Sequence, residues 1–200
     1  MDYFVYCRDR PETEALRSEL VEDHWSFMDR YADTMIARGP TFAPDGTTVT
    51  GSMHIVGLPD PAAARTFAFA EPNYRAGVYD DVLIRRWSNT LGRTMWEFSG
   101  AVAGYHRFLI IGHGRPGMAA VRDDLHVAQR RYLLDGDQRD RVIVCGPLLS
   151  EDAGEWVGTA LTVELPDRAA AEALLRHGPY AQADLYERVE VHAWEFGGRR

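Results

Sequence analysis

The chain has 200 residues, 46% hydrophobic and 26% charged, with a formal net charge of −8, the make-up of an ordinary globular protein of one or two domains. Nucleic-acid binding needs clustered cations, and the only adjacent basic pairs are Arg85-Arg86, Arg130-Arg131 and Arg199-Arg200, so no nucleic-acid partner is expected. No run approaches the ~20 apolar residues of a membrane span, and the opening MDYFVYCRDR has neither a cationic n-region nor a long apolar stretch. The expectation is a cytoplasmic protein with no membrane partner.

In chain order, Tyr3 to Cys7 reads as a strand. After Pro11, apolar residues at Leu16, Leu20, Phe27, Tyr31 and Met35 recur on one helical face, and Gly39-Pro40 should end that helix. A short strand at Thr41-Phe42, a turn at Pro44-Asp45-Gly46 and a strand from Ser52 to Leu58 suggest a hairpin. A second helix should open on Asp60 as N-cap with Pro61 at its first position. Val82 and Ile84 mark the closing strand. The order βαββαβ then recurs: RFLII, a helix from about Met118 to Asp135, VIVC, a strand from Gly158 to Leu165, a helix capped by Asp167, and RVEVHAW.

The recurrence is written in the residues themselves. Shifted by 107 positions, Gly39 to Trp87 falls without a gap on Gly146 to Trp194, with 16 of 49 positions identical. A self-match at so long a period sets the unit of folding. We therefore expect an α+β fold of two ferredoxin-like βαββαβ repeats, residues 1–87 and 105–200, joined by a linker over 88–104. In such a unit both helices cover one face of the sheet. Alternation in the last strand places Glu190, His192 and Trp194 on the other face, and two sheets facing each other would close an intramolecular dimeric α+β barrel. On this reading the chain is a monomeric barrel or a weak homo-oligomer.

Three motifs in each copy carry a resemblance. They are a histidine early in the long helix (His24 in EDHWSF, His126 in DDLHVA), a following Gly-Pro (Gly39-Pro40, Gly146-Pro147), and a proline element leading into the last strand (EPNYRAGVYDDV, HGPYAQADLYERV). In these the chain resembles the YCII-related family of the dimeric α+β barrel superfamily, to which a chlorohydroxyquinol dehydrochlorinase belongs. The resemblance implies an acid–base dyad of the helical histidine with the carboxylate before proline, which carries over onto His24 and Glu71 as catalytic residues. The chain departs from the pattern by having Glu for Asp at Glu71, Asn73 for an aromatic residue, and Gly178 where the second copy should have its carboxylate. His126 with His177 as a stand-in partner would be a possible second site.

His24 lies four residues after Leu20 and three before Phe27, so it should face the sheet. An imidazole beside a carboxylate is a proton carrier near neutral pH, whereas the plainer alternative is a buried histidine bonded to a backbone carbonyl. Glu71 could equally be a solvated loop carboxylate, held extended by Pro72. His54, with Ser52 on the same strand face, could line a pocket or simply fill the interior. Trp25, Phe27, Tyr31 and Tyr74 are available to line an apolar pocket for an aromatic substrate. Cys7 and Cys145 sit in apolar runs and read as buried hydrophobes. No metal is expected, because His24, His54 and Glu71 share no short ligand spacing. No cofactor is expected either, since neither a P-loop nor GxGxxG occurs, and GHGRPG at Gly112 to Gly117 reads as a turn. Two functions follow: a cofactor-independent acid–base enzyme, lyase- or isomerase-like, acting on a small aromatic or quinoid molecule, or a non-catalytic small-molecule-binding or accessory protein.

Overall fold

A computed structural model describes residues 1–135 and 138–198. The described residues divide into two compact units, 1–88 with 194–198, and 89–193. The first begins with strand β1 (Asp2–Asp9), the helices α1 (Glu14–Glu19) and α2 (Val21–Asp29), and strands β2 (Met35–Phe42) and β3 (Val49–Gly57). Helices α3 (Pro61–Phe69) and α4 (Pro72–Arg75) and strand β4 (Tyr79–Trp87) complete it. The strands lie in the antiparallel order β4-β1-β3-β2.

The second unit has β5 (His106–Gly114), α5 (Ala119–Leu134), β6 (Val142–Leu149), β7 (Trp156–Leu165), α6 (Arg168–Arg176), α7 (Pro179–Gln182) and β8 (Tyr186–Trp194), in the matching order β8-β5-β7-β6. Register confirms the repeat. Val5 is flanked by His54 and Ile84, and Ile110 by Leu161 and Val191, so the later strands keep the 107-residue offset.

Period-2 alternation puts Tyr3, Val5 and Cys7 of β1 on the face that meets the helices, where they join Phe27, Met28, Val56 and Phe67 in one buried cluster. Burying a side chain such as Phe67 stabilises the unit by about 1.5–3 kcal/mol. Asp60 caps α3 by accepting from the Ala63 amide at 2.8 Å, and Asp167 does the same for α6 with Ala170 at 2.8 Å, each contributing about 1 kcal/mol.

The long helix ends earlier than expected. α2 stops at Asp29, and Met35 already belongs to β2, which runs through Gly39 and Pro40. Gly-Pro is therefore a strand feature rather than a helix stop. A Cβ at Gly39 would lie 1.8 Å from the Glu195 carbonyl oxygen, so only glycine lets the C-terminal segment pass against this strand. Among the described residues no helix is long and apolar enough to cross a membrane.

Candidate active site

Glu71 ends the turn after α3 and, held extended by Pro72 at φ −65° and ψ 136°, caps the short helix α4. One carboxylate oxygen, Oε2, accepts from the Tyr74 amide at 3.0 Å. The other, Oε1, lies 2.5 Å from Nδ1 of His24 on α2. At 2% exposure Glu71 is buried, and both of its oxygens are engaged by the fold.

His24 forms part of the wall of a cavity of about 350 Å³ between α2 and the helix-facing side of the sheet. Trp25 and Met28 come from the same helix, Arg38 and Pro40 from β2, Ser52 and His54 from β3, and Asn73 from α4; the segment Phe196–Gly198 forms the remaining side. That segment is held by backbone bonds from Glu195 N to Pro40 O (3.2 Å) and from Gly197 N to Arg38 O (3.0 Å).

Polar groups under the cavity bond to one another. Arg17 on α1 donates to both oxygens of Asp9 at 2.8 and 3.0 Å and also to the Ser52 hydroxyl. The buried Tyr79 hydroxyl accepts from Asn73 Nδ2 at 3.2 Å. Burial pushes the Asp9 carboxyl up to about 6 against the opposing pull of Arg17. His54, 3% exposed, is driven well below the usual imidazole range, first by burial and then by the charges of His24, Arg38 and Arg17. It is therefore neutral near pH 7, and its Nδ1 is buried without a hydrogen-bond partner. The Cys7 thiol is pushed well up by burial and by Glu71 and Asp9, and burial pushes Cys145 up to about 12. Both stay protonated and unreactive.

The expected site residues therefore separate. His24, Trp25, Ser52 and His54 meet at the cavity, with Glu71 bonded behind His24. Phe27 and Tyr31 pack instead against Phe67 in the core, at ring distances of 6.1 and 4.9 Å. Tyr74 is exposed and stacks on Phe69. Arg17, Arg38 and the Phe196–Gly198 segment were not anticipated, since no spacing in the sequence links them to His24. No group of three or more His, Cys, Asp or Glu side chains suited to a metal occurs among the described residues.

The second unit lacks most of this machinery. The 107-residue offset puts Leu161 at the His54 position, Tyr180 at Asn73, Cys145 at Arg38 and Gly178 at Glu71. Gln129 of α5 takes over the helix cap, its Oε1 accepting from the Tyr180 amide at 3.1 Å. Trp156, Tyr180 and Tyr186 pack on one another, and the remaining space is about 40 Å³. His126 lies at its exposed edge, while His177 is an exposed residue at the end of α6 and is not part of that wall.

Two βαββαβ units in one chain, the first with a histidine–carboxylate pair at a small-molecule-sized cavity, define a tandem α+β protein. The chain belongs to the YCII-related family, whose domain matches residues 1–88 and 106–195. No curated relative matches the sequence.

Among solved structures it is similar to a mutant chlorite dismutase from Candidatus Nitrospira defluvii, with 8% identity, a TM-score of 0.63, and coverage of 98% of this chain and 91% of the other. An anthrone oxidase-like protein gives 10% identity and a TM-score of 0.56, covering 100% and 91%. The 5-chloro-2-hydroxyhydroquinone dehydrochlorinase from Burkholderia phenoliruptrix, solved with 2,5-dihydroxybenzoquinone, gives 23% identity and a TM-score of 0.44, covering 46% of this chain and 99% of its own. The fold class is thus that of the dimeric α+β barrel proteins.

Proposed function

We propose that the first unit is a cofactor-independent enzyme site that moves a proton on a small aromatic or quinoid molecule, in an elimination, an isomerisation or a related step. The observation that carries this reading is the 2.5 Å contact between His24 and buried Glu71 at the wall of a 350 Å³ cavity. With Glu71 accepting from Nδ1–H, the ring proton is fixed on Nδ1 and Nε2 is the basic nitrogen. Val21, Trp25, Met28 and Phe196 supply the apolar walls that a planar ring prefers. The non-catalytic reading fits the second unit, where the carboxylate position is Gly178 and the cavity has closed around aromatic side chains.

A test follows from proton transfer itself. Hydroxylated and chlorinated hydroquinones are incubated with the protein in D2O, and deuterium uptake at ring carbons is read by NMR. The parent should accelerate uptake for at least one compound, and His24→Asn should slow it by roughly 10²–10⁴-fold. Uptake unaffected by His24→Asn would refute the proposal.

A further inference from the structure

The chain carries a net charge of −8, yet no carboxylate lines the first-unit cavity among the described residues. The charged side chains in its wall are Arg17 and Arg38. Glu71 and Asp9 lie behind that wall, one engaged by His24 and Tyr74 and the other by Arg17. Both arginines are ion-paired, Arg17 with Asp9 and Arg38 with Asp29, but the wall itself presents their guanidinium groups and no carboxylate, an arrangement that favours a negatively charged ligand.

Within the recess, Arg38 and His54 are directly opposed across β2 and β3, so their side chains leave the same face of the sheet as neighbours. Both are buried, at 6% and 3% exposure. Arg38 keeps its cation in place with Asp29 at 3.5 Å, and His54 is a neutral imidazole whose Nδ1 has no protein partner. A buried polar group left unsatisfied costs about 1–3 kcal/mol, and a ligand at the wall removes that cost. In the second unit the same two positions hold Cys145 and Leu161, and there the space falls to about 40 Å³. Loss of the pair and loss of the cavity go together.

We infer that Arg38 and His54 form an oxyanion subsite, and that the substrate is bound as a planar aromatic anion, a phenolate or a ring carboxylate, whose charged oxygen this pair holds. This rests on the reading of the cavity as a substrate site and adds the charge state of what it takes. Arg38 supplies charge-assisted donors and His54 a neutral hydrogen-bonding group, while His24 and Glu71 handle the proton.

The test uses three planar probes of similar size, 4-nitrophenolate, 4-nitrobenzoate and neutral 4-nitroanisole, titrated into the intact protein above neutral pH and followed by absorbance and calorimetry. One or both anions should bind roughly ten- to a hundred-fold tighter than the anisole, the ratio that a charge-assisted hydrogen bond supplies. Which anion is preferred tells a phenolate site from a carboxylate site. Arg38→Met and His54→Leu should each reduce that ratio without weakening anisole binding. Equal affinity for all three probes, or no binding of any at millimolar concentration, overturns the inference from the parent alone, whether or not a variant folds. His24→Asn should keep the anion preference, so failure of this subsite and failure of the proton-transfer reading give different results.

Discussion

Replacing Glu71 separates its two roles, because the carboxylate accepts twice and a glutamine has one acceptor oxygen. Glu71→Ala loses the α4 cap, made by Oε2 to the Tyr74 amide at 3.0 Å, and leaves the partly buried His24 Nδ1 unpaired. The cap contributes about 0.5–2 kcal/mol and an unsatisfied donor costs about 1–3 kcal/mol, so a loss of about 1.5–5 kcal/mol is expected. Glu71→Gln can keep the cap with its amide oxygen, which turns the amide NH₂ toward Nδ1. His24 must then accept at Nδ1 and carry its proton on Nε2, the wrong tautomer for a base facing the cavity. The expected outcome is a loss of about 1 kcal/mol with turnover reduced by roughly 10²-fold or more. Urea denaturation measures the first quantity, and long-range ¹H–¹⁵N spectra of His24 read the tautomer. Full activity in Glu71→Gln, or an unchanged His24 tautomer, would refute the reasoning.

Asp9 makes stability depend on pH. Its folded value of about 6 lies above the ordinary 3.8, so the folded chain holds this proton more tightly than the unfolded one. The stability contributed by the protonated form is present below about pH 4 and is lost as pH rises to about 6, an upper bound of about 3 kcal/mol. Asp9→Asn keeps the neutral form at every pH, so the parent should lose stability relative to this variant from pH 4 to 7, and a parent that gains stability relative to it over that range contradicts this account. Gly39→Ala puts a methyl group against the Glu195 carbonyl. It should release the Phe196–Gly198 wall, cost about 1–3 kcal/mol for two backbone hydrogen bonds, and abolish hydrogen-exchange protection at the Gly197 amide; retained protection would show that the contact is dispensable.

The parts of this molecule visible in its sequence are those fixed by local pattern. The strand at Tyr3 to Cys7 and the aspartate caps at Asp60 and Asp167 follow from rules that act over a few residues, the 107-residue repeat is read directly from the sequence, and each appears in the structure. The start of β2 did not, because Tyr31 and Met35 continue a helical spacing even though Met35 is buried as a strand residue. Phe27 and Tyr31 show a similar limit. An aromatic residue near a candidate histidine on a helix can point to the core or to the pocket, and packing against Phe67 decides for the core. Arg17 and Arg38 reach the cavity only through pairing and helix placement. A lone arginine carries no signal of that kind. The Gln129 cap was hidden for the same reason, since its partner Tyr180 is 51 residues away.

The central claim is that proton transfer is confined to the first unit, with His24 as the group that performs it. Rates of deuterium uptake or turnover on one responsive hydroquinone, measured side by side for the parent, His24→Asn and His126→Asn with folding checked by circular dichroism, test it most directly. The account predicts a loss of roughly 10²–10⁴-fold for His24→Asn and a rate near the parent's for His126→Asn, whose histidine lies at the exposed edge of a 40 Å³ space. Equal losses in both variants, or a loss in His126→Asn alone, would contradict it.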